Sequence, residues 1–199
     1  MTTNRIRPKW VRFTEETNAL DFLERAGEFI IQVETQPSAW KWVILALHGA
    51  LYGFAIAACK GTDYQSVVCK TKKGVEHLIS FDKALEMCAD TAWMGTLHGG
   101  LALDLTEIQK DSIRRLKKTL RNNFEHYVPG GWSIEIHGLP LISIDILDVI
   151  SFLAVQTIRY QHLNQSQLRR VRSIVYQSKK RLRTSQLYLE ALIAEARKN

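Results

Sequence analysis

The sequence predicts an all-α protein, an antiparallel bundle of about six helices with one small β-hairpin. Three observations predict it. Apolar residues recur at helical spacing through most of the 199-residue chain, capping residues stand where the runs begin, and glycine, proline or asparagine stands where they end. A hydrophobic share of 46% with 24% charged residues is ordinary for a globular chain, and 199 residues are enough to bury a core as a single domain, residues 1–199.

In order along the chain, residues 1–12 are basic, with Trp10 and Phe13 expected as anchors. Thr14 is placed to cap a helix whose first turn carries Glu15 and Glu16, where the helix dipole favours acids. Ala19, Phe22, Leu23, Ala26, Phe29, Ile30 and Val33 give it one apolar stripe. Pro37 and Ser38 interrupt, and Trp40 to Lys60 reads as the central helix. Trp42 to Cys59 holds no Asp, Glu, Lys or Arg, at the lower edge of a membrane span. His48, Gly49, Gly53 and the lack of a second span favour a buried bundle helix over a membrane one, so no membrane partner is expected.

Gly61 stops that helix, and 67–69 and 75–79 flank a Lys-rich turn as a hairpin. Ser80 caps a short helix from Phe81 to Met87, and 93–100 reads as a connection. Leu105 and Thr106 open a helix with Ile113, Leu116, Leu120 and Phe124 on one face, which runs to Pro129. Residues 132–137 alternate as an extended segment, Leu141 to about His162 is another apolar helix, and 165–199 forms a long basic C-terminal helix. In that last helix Leu168, Val171, Val175, Ser178, Leu182, Ser185, Leu189, Leu192 and Ala196 make a heptad seam that asks for a helical partner.

Charge is unevenly placed. Residues 165–199 contain nine basic and two acidic residues, so the whole net charge of +7 lies there and the preceding 164 residues are balanced. Attraction to a polyanion is therefore expected along this helix, through Arg169, Arg170, Lys179 and Lys180. Three cysteines without a Cys-x-x-Cys pair, and a beginning without a secretory run, point to the cytoplasm. The histidines show no ligand spacing, so neither metal nor cofactor is expected, and His48 reads as a satisfied core histidine. Asp145 and Asp148 on their apolar helix are expected to pair with lysine or arginine.

The stretch Leu120-Arg121-Asn122-Asn123-Phe124-Glu125-His126-Tyr127 carries the most specific signal. Arginine is a permanently charged fork matched to phosphate oxygens, and histidine titrates near neutrality. An arginine, a polar residue after it and a histidine five positions on resembles the R-x4-6-H signature of the HEPN superfamily, small helical domains of which many are metal-independent endoribonucleases. The resemblance implies one HEPN-like domain that acts as a homodimer on single-stranded RNA, in a toxin or defence setting with a cognate antitoxin as partner. Carried over by position, Arg121 would hold and stabilise the phosphate, His126 would move a proton or position the phosphate, and Asn122 would orient one of them. Tyr127 and Trp132 would stack on bases. On an ideal helix, at about 100° per residue, Arg121 and His126 stand roughly 140° apart. The local alternatives are an i,i+4 pair of Arg121 with Glu125 and a helix cap by His126, in a non-catalytic module that dimerises or binds a protein or nucleic acid.

Overall fold

The computed structural model describes residues 9–97, 100–125, 129–157 and 163–197. Among these the architecture is an all-α bundle with a single two-stranded hairpin. Its first helix, α1 (Glu15–Gln32), starts at a capping box in which the Thr14 hydroxyl accepts from the Thr17 amide and the Thr17 hydroxyl accepts from the Thr14 amide. A short 3₁₀ turn, Pro37–Ala39, leads into α2 (Trp40–Lys60), which ends at Gly61 with φ 58°. That left-handed φ costs glycine nothing and most side chains a good deal.

Two small residues decide how α1 and α2 meet. A Cβ added at Gly53 would lie 2.7 Å from the Ala19 Cβ, and one at Gly49 would lie 2.8 Å from the Phe22 ring. Nothing larger than hydrogen fits, so the two backbones approach closely along the pair. The far end is closed by charge. Lys60, in the last turn of α2, reaches Glu15 at 3.2 Å and Glu16 at 3.3 Å in the first turn of α1, each group lying at the helix end its charge favours.

The helix α2 is apolar and long enough to cross a membrane, but most of it is buried by its neighbours α1, α7 (Leu139–Val155), α3 (Phe81–Ala89) and a π-helical segment described below. The helix α7 is likewise apolar on nearly every side and lies between α2 and α8 (Gln165–Thr184). Its two acids are satisfied from neighbouring helices: Lys179 binds Asp148, and the Ser112 hydroxyl donates to Asp145 at 2.5 Å. The hairpin pairs β1 (Val68–Lys70) with β2 (Glu76–Leu78) antiparallel, Cys69 opposite His77. Ser80 caps α3 through the Lys83 amide.

Several expectations are corrected. Trp10 and Phe13 are exposed and anchor nothing. Residues 93–100 are not simply a connection, because Asp90 accepts from the amides of Ala92 and Trp93 and starts a further helix, α4 (Thr91–Thr96). Residues 132–136 form no strand. The apolar helix α7 ends at Val155, before the 158–162 stretch that lies outside the described residues. The C-terminal helix is not continuous: Ser185 is extended (φ −73°, ψ 148°) and separates α8 from α9 (Gln186–Ala196). With α4 and this split, eight helices of six or more residues are described instead of about six.

The seam is corrected with it. Leu168, Val171, Val175, Ser178, Leu182 and Ser185 are buried within the chain, where α8 packs on α1 and α7. Past the break, Leu189 and Leu192 are exposed, because the turn at Ser185 takes α9 out of register with the seam.

Substituting Gly53→Leu should force α1 and α2 apart and destabilise the protein by about 1–3 kcal/mol, the usual cost of overpacking. By contrast Gly95→Ala, on α4 with open space around its Cβ position, should be neutral or stabilise by about 0.4–1 kcal/mol. Urea unfolding followed by circular dichroism checks both, and equal effects at the two glycines would refute the close-approach account.

Candidate nucleic-acid cleft

The helix that carries the motif begins as α5 (Glu107–Arg114), capped by Thr106 and Gln109 in a reciprocal box. From Arg115 to Arg121 the backbone is π-helical, and α6 (Asn122–Glu125) follows. Ile113, Leu116 and Leu120 stay buried through the change, so packing holds the face while the turn widens. Such segments are rare and concentrate at functional sites. Their consequence here is angular. The ideal spacing holds in α5 and in α6 but not through residues 115–121, so Arg121 leaves the helix at a different angle relative to α5 than a continuous α-helix would give.

Arg121 closes this segment, with its side chain 27% exposed. One terminal nitrogen lies 2.6 Å from Glu125 and the other donates to the Asn122 side chain at 3.0 Å. Its Nε is buried without an acceptor among the described residues. A buried donor left unmatched costs about 1–3 kcal/mol, which asks for an explanation. The structure thus joins Arg121 to Asn122 and also makes the local pair with Glu125. His126 and Tyr127 lie outside the described residues.

Arg121 and Glu125 stand at one edge of a cleft of about 560 Å³ between α1 and α2. Phe22 and Phe29 from α1 and Trp42 from α2 line it, with Asn18, Arg25, His48 and Tyr52 as polar members. His48 lies half-buried on the cleft wall. Its ring stacks on Phe81 at 4.8 Å. Burial, then the positive charges of Arg121 and Lys117, lower its pKa to about 4, so it is neutral at pH 7.

Beside the cleft runs a line of rings and cations. Phe29 stacks with Trp42 (6.0 Å, 25°), and Lys41 Nζ lies 4.9 Å from the Trp42 ring and 6.0 Å from that of Phe124. Phe124 in turn packs on Trp132 at 4.9 Å. Trp132 is thereby brought next to the motif and is 41% exposed. Lys41, Trp42 and His48 were missed because they belong to a helix that reads as core. The only signal was a lysine, a tryptophan and a histidine breaking an otherwise apolar run.

The basic residues of α8 are not brought to this place. Arg170 pairs with Glu24, Lys179 with Asp148, and Arg181 with Glu34 at 3.0 Å, while Arg169 and Lys180 are exposed. Glu24, Gly27, Glu28 and Ile31 form the face of α1 toward α8, and Asn18, Phe22, Arg25 and Phe29 form its cleft face. At about 100° per residue these faces are roughly 140° apart. Arg121 and the positive charge of α8 thus lie on different sides of α1. Among the described residues no three His, Cys, Asp or Glu side chains converge as a metal-binding group. No family model, curated protein or solved structure matches the chain.

His48 gives a pH signature. Its folded pKa lies below the unfolded value of 6.5, so the unfolded chain binds a proton first as pH falls, and the stability present above 6.5 is lost progressively toward pH 4. The difference in melting temperature between wild type and His48→Gln should therefore change between pH 6.5 and 4 and stay constant from pH 7 to 8. A difference independent of pH across both ranges would remove the buried neutral imidazole.

Proposed function

We propose that the protein is a HEPN-like endoribonuclease that cleaves single-stranded RNA as a homodimer, without a metal. The observation that supports this best is Arg121: a guanidinium held by Glu125 and Asn122, with its Nε unmatched among the described residues, at the edge of an aromatic cleft. A fixed fork of this kind suits a phosphodiester whose oxygens gain charge as it reacts. In the reaction the substrate's 2′-oxygen attacks the adjacent phosphorus, the bond to the 5′-oxygen breaks, and the products are a 2′,3′-cyclic phosphate and a 5′-hydroxyl. Arg121 stabilises the phosphoryl oxygens, Asn122 orients Arg121, and His126 passes a proton between the 2′- and 5′-oxygens. Trp132 and Tyr127 receive bases. A second protomer supplies a second Arg121 and His126 to one cleft, and a toxin with a cognate antitoxin is the setting in which such an activity belongs.

A second reading is favoured by the Arg121–Glu125 pair and by the exposed Leu189, Leu192 and Ile193 on α9. Here the arginine locks its helix and α9 docks a protein partner, with no catalysis.

The two readings part on RNA treated with EDTA. The endoribonuclease should leave 2′,3′-cyclic phosphate ends on RNA and spare DNA of the same sequence. Arg121→Ala should cut the rate by about 10²–10³-fold, the order seen when one transition-state donor is lost, and His126→Ala should abolish cleavage, both at unchanged helicity. Intact RNA after long incubation, together with a lower melting point for Arg121→Ala, leaves the non-catalytic module. The dimer is checked separately by sedimentation at micromolar concentration, where a species of only 22.8 kDa contradicts the shared cleft.

A further inference from the structure

The cleft between α1 and α2 has features that a place for a bare phosphate would not need. At about 560 Å³ it falls within the range of roughly 300–1,000 Å³ that small-molecule sites occupy. Ala46, Gly49 and Gly53 contribute almost no side-chain bulk to its α2 wall, while Phe22, Phe29 and Trp42 contribute aromatic surface. Trp42 is 49% exposed although it lies on a largely buried helix. Flat apolar walls on a wet rim suit a planar ring with a polar tail.

The charges on its rim are unequal in what remains to them. Glu15 binds Lys60, and Glu125 binds Arg121. Arg25 is held by Asp21 and Glu28 on its own helix. Arg121 keeps a buried Nε with no acceptor among the described residues, while Lys117 is paired with Asp82. Arg121 and Trp42 both line the cleft, so an anionic group and an aromatic ring on one ligand would complement it together.

We infer that this cleft is a one-nucleotide subsite, with a nucleobase against Phe22 and Trp42 and its phosphate at the Arg121 guanidinium. The inference rests on the reading of the ligand as RNA in the proposed function and is independent of whether that RNA is cut. The ligand chemistry, a nucleoside phosphate, has two sources: a unit of an RNA strand, or a free nucleotide. Entry of the base also gives Lys41, over the Trp42 ring, a place on the next phosphate along the strand.

Calorimetric titration of the full chain with 5′-AMP, 5′-UMP, adenosine, inorganic phosphate and a single-stranded octamer of 2′-deoxynucleotides tests it. Both nucleotides should bind, with adenosine and phosphate each at least about tenfold weaker, since each lacks one half of the recognised unit. Trp42→Ala should weaken nucleotide and octamer by roughly tenfold or more, the order of one lost base stack. Arg121→Gln should erase the difference between 5′-AMP and adenosine, and Tyr176→Ala, at an exposed aromatic on α8, should leave mononucleotide binding unchanged. An octamer much tighter than the mononucleotides assigns the subsite to a strand, and equal affinities assign it to a free nucleotide. No binding of either, or binding indifferent to Trp42→Ala in a folded variant, overturns the inference. Nucleotide binding without RNA cleavage overturns the endoribonuclease reading alone, and cleavage without a Trp42 effect overturns the subsite alone.

Discussion

The approach of α1 to α2 is the constraint on which the rest of the structure depends. Gly49 and Gly53 let the Phe22 ring and the Ala19 methyl lie against the α2 backbone, and Lys60 fastens the open end to Glu15 and Glu16. Because α2 also packs against α7, α3 and the π-helical segment, its position relative to α1 fixes the frame for the others. The ion cluster is partly shielded, with Lys60 only 14% and Glu16 7% exposed, so its geometry matters more than that of the exposed pairs elsewhere on the surface. Close packing and the cleft are neighbours: where α2 carries glycine, Ala19 and the Phe22 ring fill the space a side chain would take, and the cleft lies beside that contact.

The π-helical segment is the second constraint. Its wider turn gives up ideal helix geometry, and burial of Leu116 and Leu120 against the bundle offsets that loss. It delivers Arg121 to the cleft edge while Asn122 and Glu125 hold two of its nitrogens. This arrangement joins two uses of one residue. Glu125 restrains the fork, which serves a lock and a phosphate site alike, and the Nε left without an acceptor among the described residues is the feature that a lock alone does not use.

The bounds of α2, the caps at Thr14 and Ser80, the helix start at Thr106 and the hairpin were legible because each depends on a local rule: apolar content, a hydroxyl before a helix, or a turn between two short runs. Asp90 as a cap was equally local but was hidden by Gly95 and Gly100 around it. The break at Ser185 was not legible. A serine continues a helix or leaves it at nearly equal cost, and packing of α8 on α1 and α7 against α9 decides between them. Arg121 and Asn122 were legible as neighbours in one motif, whereas Lys41, Trp42 and His48 stand some 80 residues earlier in the chain, and no spacing rule connects them.

By itself the sequence determined an all-α bundle, its main helix boundaries and the concentration of positive charge in the last 35 residues, since propensity, capping and periodicity act over a few residues. Only the tertiary structure decided which face each charge occupies. It placed the cations of α8 on one side of α1, many of them tied to acids, and Arg121 with His48 and Trp42 on another. The reason is that side-chain direction follows from how helices cross and from one π-helical turn, and these are set by the summed packing of the whole core and not by any local stretch of residues.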